Sequence, residues 1–276
     1  ILLNNRKHIS ISGVQEKFSL IQVKNKLRFA NETEQGTHIL KPIPSFGKNN
    51  DQMPANEHLS MQIANQVYGI EAAENALIFF KDSQPAYITK RFDLKADGSK
   101  FAQEDFASLN GRTPQTHGEN FKYLGNYLEI FETMKKFLPL YKIEALKLFK
   151  LLVFNYLFCN GDTHFKNFSI IETSFGDFKL SPAYDLLNTR LHIDDKDFAL
   201  DDGLLPRNLA QAKIAKQFEI LAKEAEIDKI FYEEIMNFML SKSKLVEKFI
   251  SVSFLSEKAK RFYLQSYQTR LKQLNK

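Results

Sequence analysis

Two periodicities divide this chain. In the first third, apolar residues alternate with polar ones or cluster in short runs bounded by turn formers. That pattern predicts strands over 18–23, 26–30, 37–42, 76–80 and 87–92. The first pair reads as a hairpin, as does the last pair across Lys81-Asp82-Ser83-Gln84. One helix interrupts them: Leu59, Ile63, Ala64 and Val67 recur at helical spacing over 55–68, and Gly69 supplies a C-terminal cap. After Glu104 the pattern turns helical. Helices are predicted over 121–137, 142–160, 209–225, 228–240 and 256–274, with Pro139 breaking the first from the second. Two short strands, 167–172 and 177–180, flank Ser174-Phe175-Gly176. The expected class is therefore α+β, with a strand-rich N-terminal lobe over 1–100 and a helical C-terminal lobe over 101–276. The change falls at 93–104.

Composition narrows the setting. A chain of 276 residues can bury a large core as one domain or as two lobes around a cleft. Its 43% hydrophobic and 26% charged residues are those of an ordinary globular protein. A net charge of +5 over this length does not by itself indicate nucleic-acid binding. Much of the excess lies beyond residue 240, where it suits an acidic partner or, more plainly, a solvated helix surface. Cys159 is the only cysteine, so no intramolecular disulfide can form and a reducing compartment is expected. With no signal peptide and no apolar run long enough to span a membrane, the expected location is the cytoplasm. The chain begins at Ile1 rather than Met, so a few residues are expected before it.

The candidate chemistry centres on Gly161-Asp162-Thr163-His164-Phe165-Lys166-Asn167 and on Asp185 in Ser181-Pro182-Ala183-Tyr184-Asp185. An Asp separated by four residues from an Asn, with a second Asp after two strand-like runs, suits phosphoryl transfer from ATP. In that reading Asp162 accepts the proton of the attacking hydroxyl, and Asn167 and Asp185 hold Mg²⁺. The same residues would also serve as a capped turn. His164 would hydrogen-bond the phosphates, orient Asp162 or simply pack. Lys41 ends a strand and would pair with the ATP phosphates, with Glu57 on the following helix placed to hold it. The loop Ser10-Ile11-Ser12-Gly13-Val14-Gln15-Glu16-Lys17 precedes the first hairpin. It contains one Gly and is neither G-x-G-x-x-G nor a Walker A sequence, but amides around Gly13, Val14 and Gln15 would make an anion nest. A phosphate on Ser10 or Ser12 would compete with ATP for that nest, an off-switch written into the loop. The acidic stretch Asp194 to Asp202 would dock a basic substrate loop or lie in solvent. The layout as a whole is that of a kinase.

Read together, the segments ISGVQEK, THILKP, NEH, ITKRFD, QEDF, GDTHFKNFS and LSPAYD resemble the HipA-type bacterial serine/threonine kinase toxins. They occur in the same order and at compatible spacing across most of the chain. The resemblance implies a two-lobed protein-kinase-like fold and use of ATP and Mg²⁺. It assigns Lys41 to the phosphates, Asp162 as base, Asn167 and Asp185 to Mg²⁺, and Glu104 and Phe106 to the adenine. It places autophosphorylation at Ser10, with Ser12 a second candidate. It further implies a toxin that phosphorylates an aminoacyl-tRNA synthetase and is restrained by an antitoxin. With its start almost at the Ser-rich loop, the chain resembles the short HipT-like type. The restraining partner would be a small HipS-like protein, a HipB-like helix-turn-helix antitoxin, or both, with DNA reached only through the antitoxin. Other readings use the same residues: a small-molecule phosphotransferase, a non-catalytic pseudokinase scaffold, and a metal-dependent hydrolase built on Asp162, His164 and Asp185. The hydrolase gives Lys41 and the Gly13 loop no role.

Overall fold

The computed structural model describes residues 15–45 and 47–275. Strand β1 (Phe18–Val23) turns through Lys24, at a left-handed φ of 54°, into β2 (Lys26–Phe29), the two-residue hairpin expected from the alternation. Strand β3 (His38–Lys41) pairs antiparallel with β1 and with β5 (Pro85–Lys90), and β4 (Asn75–Phe79) closes the sheet on β5. The order is β2-β1-β3-β5-β4, so the strand that carries Lys41 is central and its end is flanked on both sides.

Helix α1 (Met53–Gln62) starts with Pro54 in its first turn, where the missing N–H costs no hydrogen bond. It buries polar Asn56, Glu57 and Ser60 along with its apolar residues. That all-round burial has a cause. One side of α1 lies on the sheet and the other meets the last helix, where Ser60 Oγ lies 2.8 Å from Tyr263 Oη. A second sheet, ordered β6-β7-β8, consists of β6 (Gln103–Asp105), β7 (Ser169–Glu172) and β8 (Phe178–Leu180). Strand β6 therefore pairs with a strand from the helical part of the chain.

Behind this sheet lie α2 (Leu128–Phe137), α3 (Tyr141–Leu157), α4 (Ile214–Glu224), α5 (Lys229–Leu240), α6 (Ser243–Ser251) and α7 (Glu257–Leu274). The centre is aromatic, as a Phe-rich sequence without Trp requires. Phe154 and Phe158 of the α3 end stack at 4.4 Å, Phe158 stacks on Tyr267 at 5.0 Å, and Tyr68 meets Phe154 edge-on at 5.7 Å. One continuous core joins α1, α3 and α7.

Several elements differ from the sequence expectation, strand β6 among them. The helix predicted over 121–137 begins only at Leu128, because Gly125 adopts φ 96° and residues 118–127 form successive turns. Helix α6 has no counterpart in the prediction. No helix among the described residues is long and apolar enough to cross a membrane.

Candidate active site

Lys41 is 4% exposed, and its ammonium is the pivot of the site. Nζ lies 2.5 Å from Glu57 Oε1 and 2.5 Å from Asp185 Oδ1, so a strand, a helix and a distant loop meet on one cation. Burial alone would lower the pKa of this ammonium, but Asp185 and Glu57 outweigh it and hold it above its ordinary value. Glu57 is pushed up by its own burial, with Lys41 opposing. Asp185 sits at φ 56°, a left-handed conformation that a short polar residue tolerates at some cost and that is common at functional sites. Its other oxygen, Oδ2, is 3.7 Å from Lys17 Nζ.

The loop after α3 brings the second group of residues. Cys159 turns the chain at φ 53°, and Asn160 Nδ2 donates to the Asp185 carbonyl at 3.3 Å, tying the two segments together. Asp162 is 7% exposed, with Tyr123 Oη donating to its Oδ1 at 3.5 Å. His164 and Asn167 form a reciprocal box. The His164 N–H donates to Asn167 Oδ1 at 3.1 Å, and the Asn167 N–H donates to the His164 carbonyl at 2.9 Å. The His164 ring packs edge-on against Tyr123 at 5.2 Å, and burial, helped by nearby Lys122, pushes its pKa down to about 3. It is therefore a neutral imidazole near pH 7 and brings no positive charge to a phosphate.

Gly161 has a steric reason to be glycine. A Cβ there would lie 2.4 Å from the Lys196 carbonyl oxygen and 2.5 Å from Asp195 Oδ2. The same Asp195 accepts from Thr189 Oγ1 at 2.5 Å, and the Gly161 N–H donates to that hydroxyl oxygen at 3.0 Å. Gly161→Ala is expected to force the backbone apart, costing about 1–3 kcal/mol of stability; a thermal melt equal to the parent's would refute this tight fit.

Three acids of the stretch Asp194 to Asp202 are paired within the protein, while Asp194 and Asp201 stay exposed. Asp195 is spent on Thr189, Arg270 forks onto both oxygens of Asp197, Arg190 reaches Asp197 at 2.6 Å, and Arg207 pairs with Asp202 at 2.8 Å. Internal pairing, invisible in a run of acids, thus engages Asp195, Asp197 and Asp202.

A cavity of about 250 Å³ lies between the two sheets, lined by Lys17, Ile39, Lys41, Phe92, Gln103 and Asp185 among others. This is below the roughly 300–1,000 Å³ usual for ligand pockets, so a nucleotide would extend beyond it. Gln103 lines the cavity, and Glu104 is the exposed next residue on β6. Phe106 is not brought to the cleft. It is fully buried in the main core, its N–H donates to the Phe168 carbonyl at 3.1 Å, and its carbonyl accepts from the Asn110 N–H. Gln15 is buried, and its Nε2 donates to the Pro42 carbonyl at 3.2 Å, fastening the loop to the end of β3. Ser10, Ser12, Gly13 and Val14 lie outside the described residues.

Sequence reasoning missed a buried clasp. Asn56 Nδ2 donates to the Asn188 carbonyl at 2.9 Å, and the Asn188 N–H donates to Asn56 Oδ1 at 3.0 Å. His192 Nε2 lies 2.8 Å from Asn56 Nδ2, and its Nδ1 lies 3.0 Å from the Lys48 carbonyl. The acceptors fix the tautomer as Nδ1–H. This clasp bolts the helix of Glu57 to the segment of Asp185, and no local pattern announces it.

The residues fit a hard cation. No cluster of three or more His, Cys, Asp or Glu occurs among the described residues. A metal here would rest on the Asp185 carboxylate, the second lone pair of the Asn167 amide oxygen and phosphate oxygens, the donor set Mg²⁺ favours.

The curled antiparallel sheet, the helical body behind it and a cleft lysine shared by two carboxylates define a protein of the kinase-like class. Its fold matches HipA of Shewanella oneidensis MR-1, solved with HipB and operator DNA. The TM-score is 0.71 at 19% identity, covering 99% of this chain and 66% of that one. It also matches the Helicobacter pylori proinflammatory kinase CtkA, with a TM-score of 0.59 at 16% identity over 93% of this chain and 90% of that one. The sequence matches the HipA-like C-terminal domain family over residues 9–245, and the chain belongs to that family. A Haemophilus influenzae relative named "Putative kinase" is 28% identical over 268 residues, 94% of this chain and 76% of its own length. The serine/threonine-protein kinase toxin HipA of Shewanella oneidensis is 25% identical over 230 residues, and the chain spans 51% of it. A Sinorhizobium fredii relative, "Putative kinase Y4dM", is 32% identical over 211 residues, and the chain spans 48% of its length.

Proposed function

We propose that this chain is an ATP- and Mg²⁺-dependent protein serine/threonine kinase that acts as the toxin of a bacterial toxin–antitoxin system. The observation that carries the reading is Lys41, held at 2.5 Å between Glu57 and Asp185, beside a loop that offers Asp162 and Asn167. Residues 1–100 would form the nucleotide lobe and 101–276 the lobe of the base and metal ligands. Lys41 would bind the phosphates as a fixed point charge. Asp162 would accept the proton as the acceptor oxygen bonds to the γ-phosphorus and ADP leaves. Mg²⁺ held by Asn167 and Asp185 would neutralise phosphate charge. Gln103, which lines the cavity, and Glu104 next to it on β6 would meet the base. Ser10 and Ser12 would be the regulatory phosphorylation sites, competing with ATP at the amides of Gly13, Val14 and Gln15.

The HipA solved with HipB and operator DNA supports an antitoxin partner, and the one proposed is HipB-like, small and HipS-like, or both. The substrate proposed is an aminoacyl-tRNA synthetase, met in the cytoplasm. The test is to incubate the purified chain with Mg²⁺ and γ-labelled ATP, alone and with bacterial lysate, beside Asp162→Asn, after checking intact mass for prior phosphate. Label on Ser10 or Ser12 and on one discrete lysate protein, both lost in the variant, is expected. Unphosphorylated protein that labels neither itself nor any lysate protein would overturn the proposal.

A further inference from the structure

We propose that Lys122 is a further catalytic residue, placing its ammonium against the phosphoryl group in flight beside Asp162. The inference rests on the kinase reading and adds a group to its site. Three observations carry it.

The first is what the motif lacks. Phosphoryl transfer spreads negative charge over three equatorial oxygens, and fixed cations near them lower the barrier. Within the catalytic loop, His164 is a neutral ring packed on Tyr123, and Lys166 is 3.1 Å from Asp105. Lys41 is committed at the Asp185 end. The loop's own basic side chains, His164 and Lys166, are thus both engaged elsewhere.

The second is where Lys122 lies. Its carbonyl accepts the Phe165 N–H at 3.1 Å, so its backbone is tied to the catalytic loop. Its Nζ lies 5.1 Å from the centre of the Tyr123 ring, whose hydroxyl reaches Asp162 at 3.5 Å. The segment is fixed on its other side as well. The Asp201 N–H donates to the Tyr123 carbonyl at 2.9 Å and the Asp202 N–H to the Gly125 carbonyl at 3.0 Å. Turns at 121–127, where a helix was expected, thus hold the Lys122 backbone beside the catalytic loop.

The third is that Lys122 is half-buried with no carboxylate within ion-pair distance among the described residues. Burial pushes its pKa down, and Asp162 opposes that. A half-buried ammonium without an anion is costly, and an incoming phosphate would relieve that cost.

In the step, the acceptor O–H proton passes to Asp162, the new O–P bond forms as the bond to the ADP oxygen breaks, and Lys122 stays protonated throughout. The test uses the whole chain as wild type, Lys122→Met and Lys122→Arg. It measures single-turnover transfer, affinity for a non-hydrolysable ATP analogue and thermal midpoint. Lys122→Met is expected to lose about 10²–10³-fold in the transfer rate with analogue affinity within about twofold, since the effect is confined to the transition state. Lys122→Arg is expected to recover part of the rate. Transfer by Lys122→Met at the wild-type rate would overturn the role of Lys122 and leave the kinase reading standing, as would a loss shared equally by both variants with a lowered melting point. A wild type that transfers no label overturns both.

Discussion

Asp162→Asn is expected to lower phosphoryl transfer by about 10²–10⁴-fold, the usual contribution of a positioned general base, while nucleotide binding and melting temperature hold. Asn keeps the volume and still offers an oxygen to the Tyr123 hydroxyl, now at 3.5 Å from Oδ1. The loop around it is fixed by the reciprocal bonds of His164 and Asn167 and by Thr163 Oγ1 on the Asn160 carbonyl, none of which uses the Asp162 side chain. What is lost is the capacity to take a proton. Single-turnover transfer at fixed nucleotide saturation reads this directly. A variant that transfers at the parental rate would remove Asp162 from the chemistry.

Lys41→Met is expected to remove activity and also to destabilise the fold, by about 3–5 kcal/mol, as breaking one member of a buried ion pair does. The variant leaves Glu57, 2% exposed, beside Asp185 without the ammonium that bridged them. Burial already raises Glu57 above its ordinary 4.5, and loss of Lys41 removes the opposing influence. The sign follows from linkage. A group whose folded pKa exceeds its unfolded one stabilises the fold fully below the unfolded value, and that stability is lost as pH rises through the folded value. The deficit in Lys41→Met should therefore shrink on acidification toward pH 5 and widen toward pH 8. Urea melts across that range check it, and a deficit that grows on acidification would mean that Glu57 is not the stranded group.

Much of this was legible from residues alone, for identifiable reasons. The strands of the first sheet alternate in composition, so their bounds came within a residue or two, and Lys41 could be matched to Glu57 because strand end and helix start are near in sequence. Asp162, Asn167 and Asp185 were legible as a spacing. Long-range pairings were not. The Asn56–Asn188 clasp joins residues with no shared local signal, and Arg270 gave no hint that it would neutralise Asp197. Apolar spacing over 121–137 mimicked one helix, although Gly125 at φ 96° permits only its second half. Phe106 was placed at the adenine by likeness to a motif, and its ring lies in the main core.

The short exposed turn around Asp97-Gly98, closed by a bridge between Leu94 and Lys100, lies where the strand-rich part gives way to the helical part. The chain could be severed there without separating its halves. The first fragment would keep α1, whose Ser60 and neighbouring Tyr68 meet Tyr263 and Tyr267 of the second. The second would supply β6 to β8 and the Asn188 backbone that Asn56 grips. Two separately made polypeptides divided at this turn would thus be mutually templating pieces of one body. Bringing them together on fused partners would make the cleft itself conditional on that encounter.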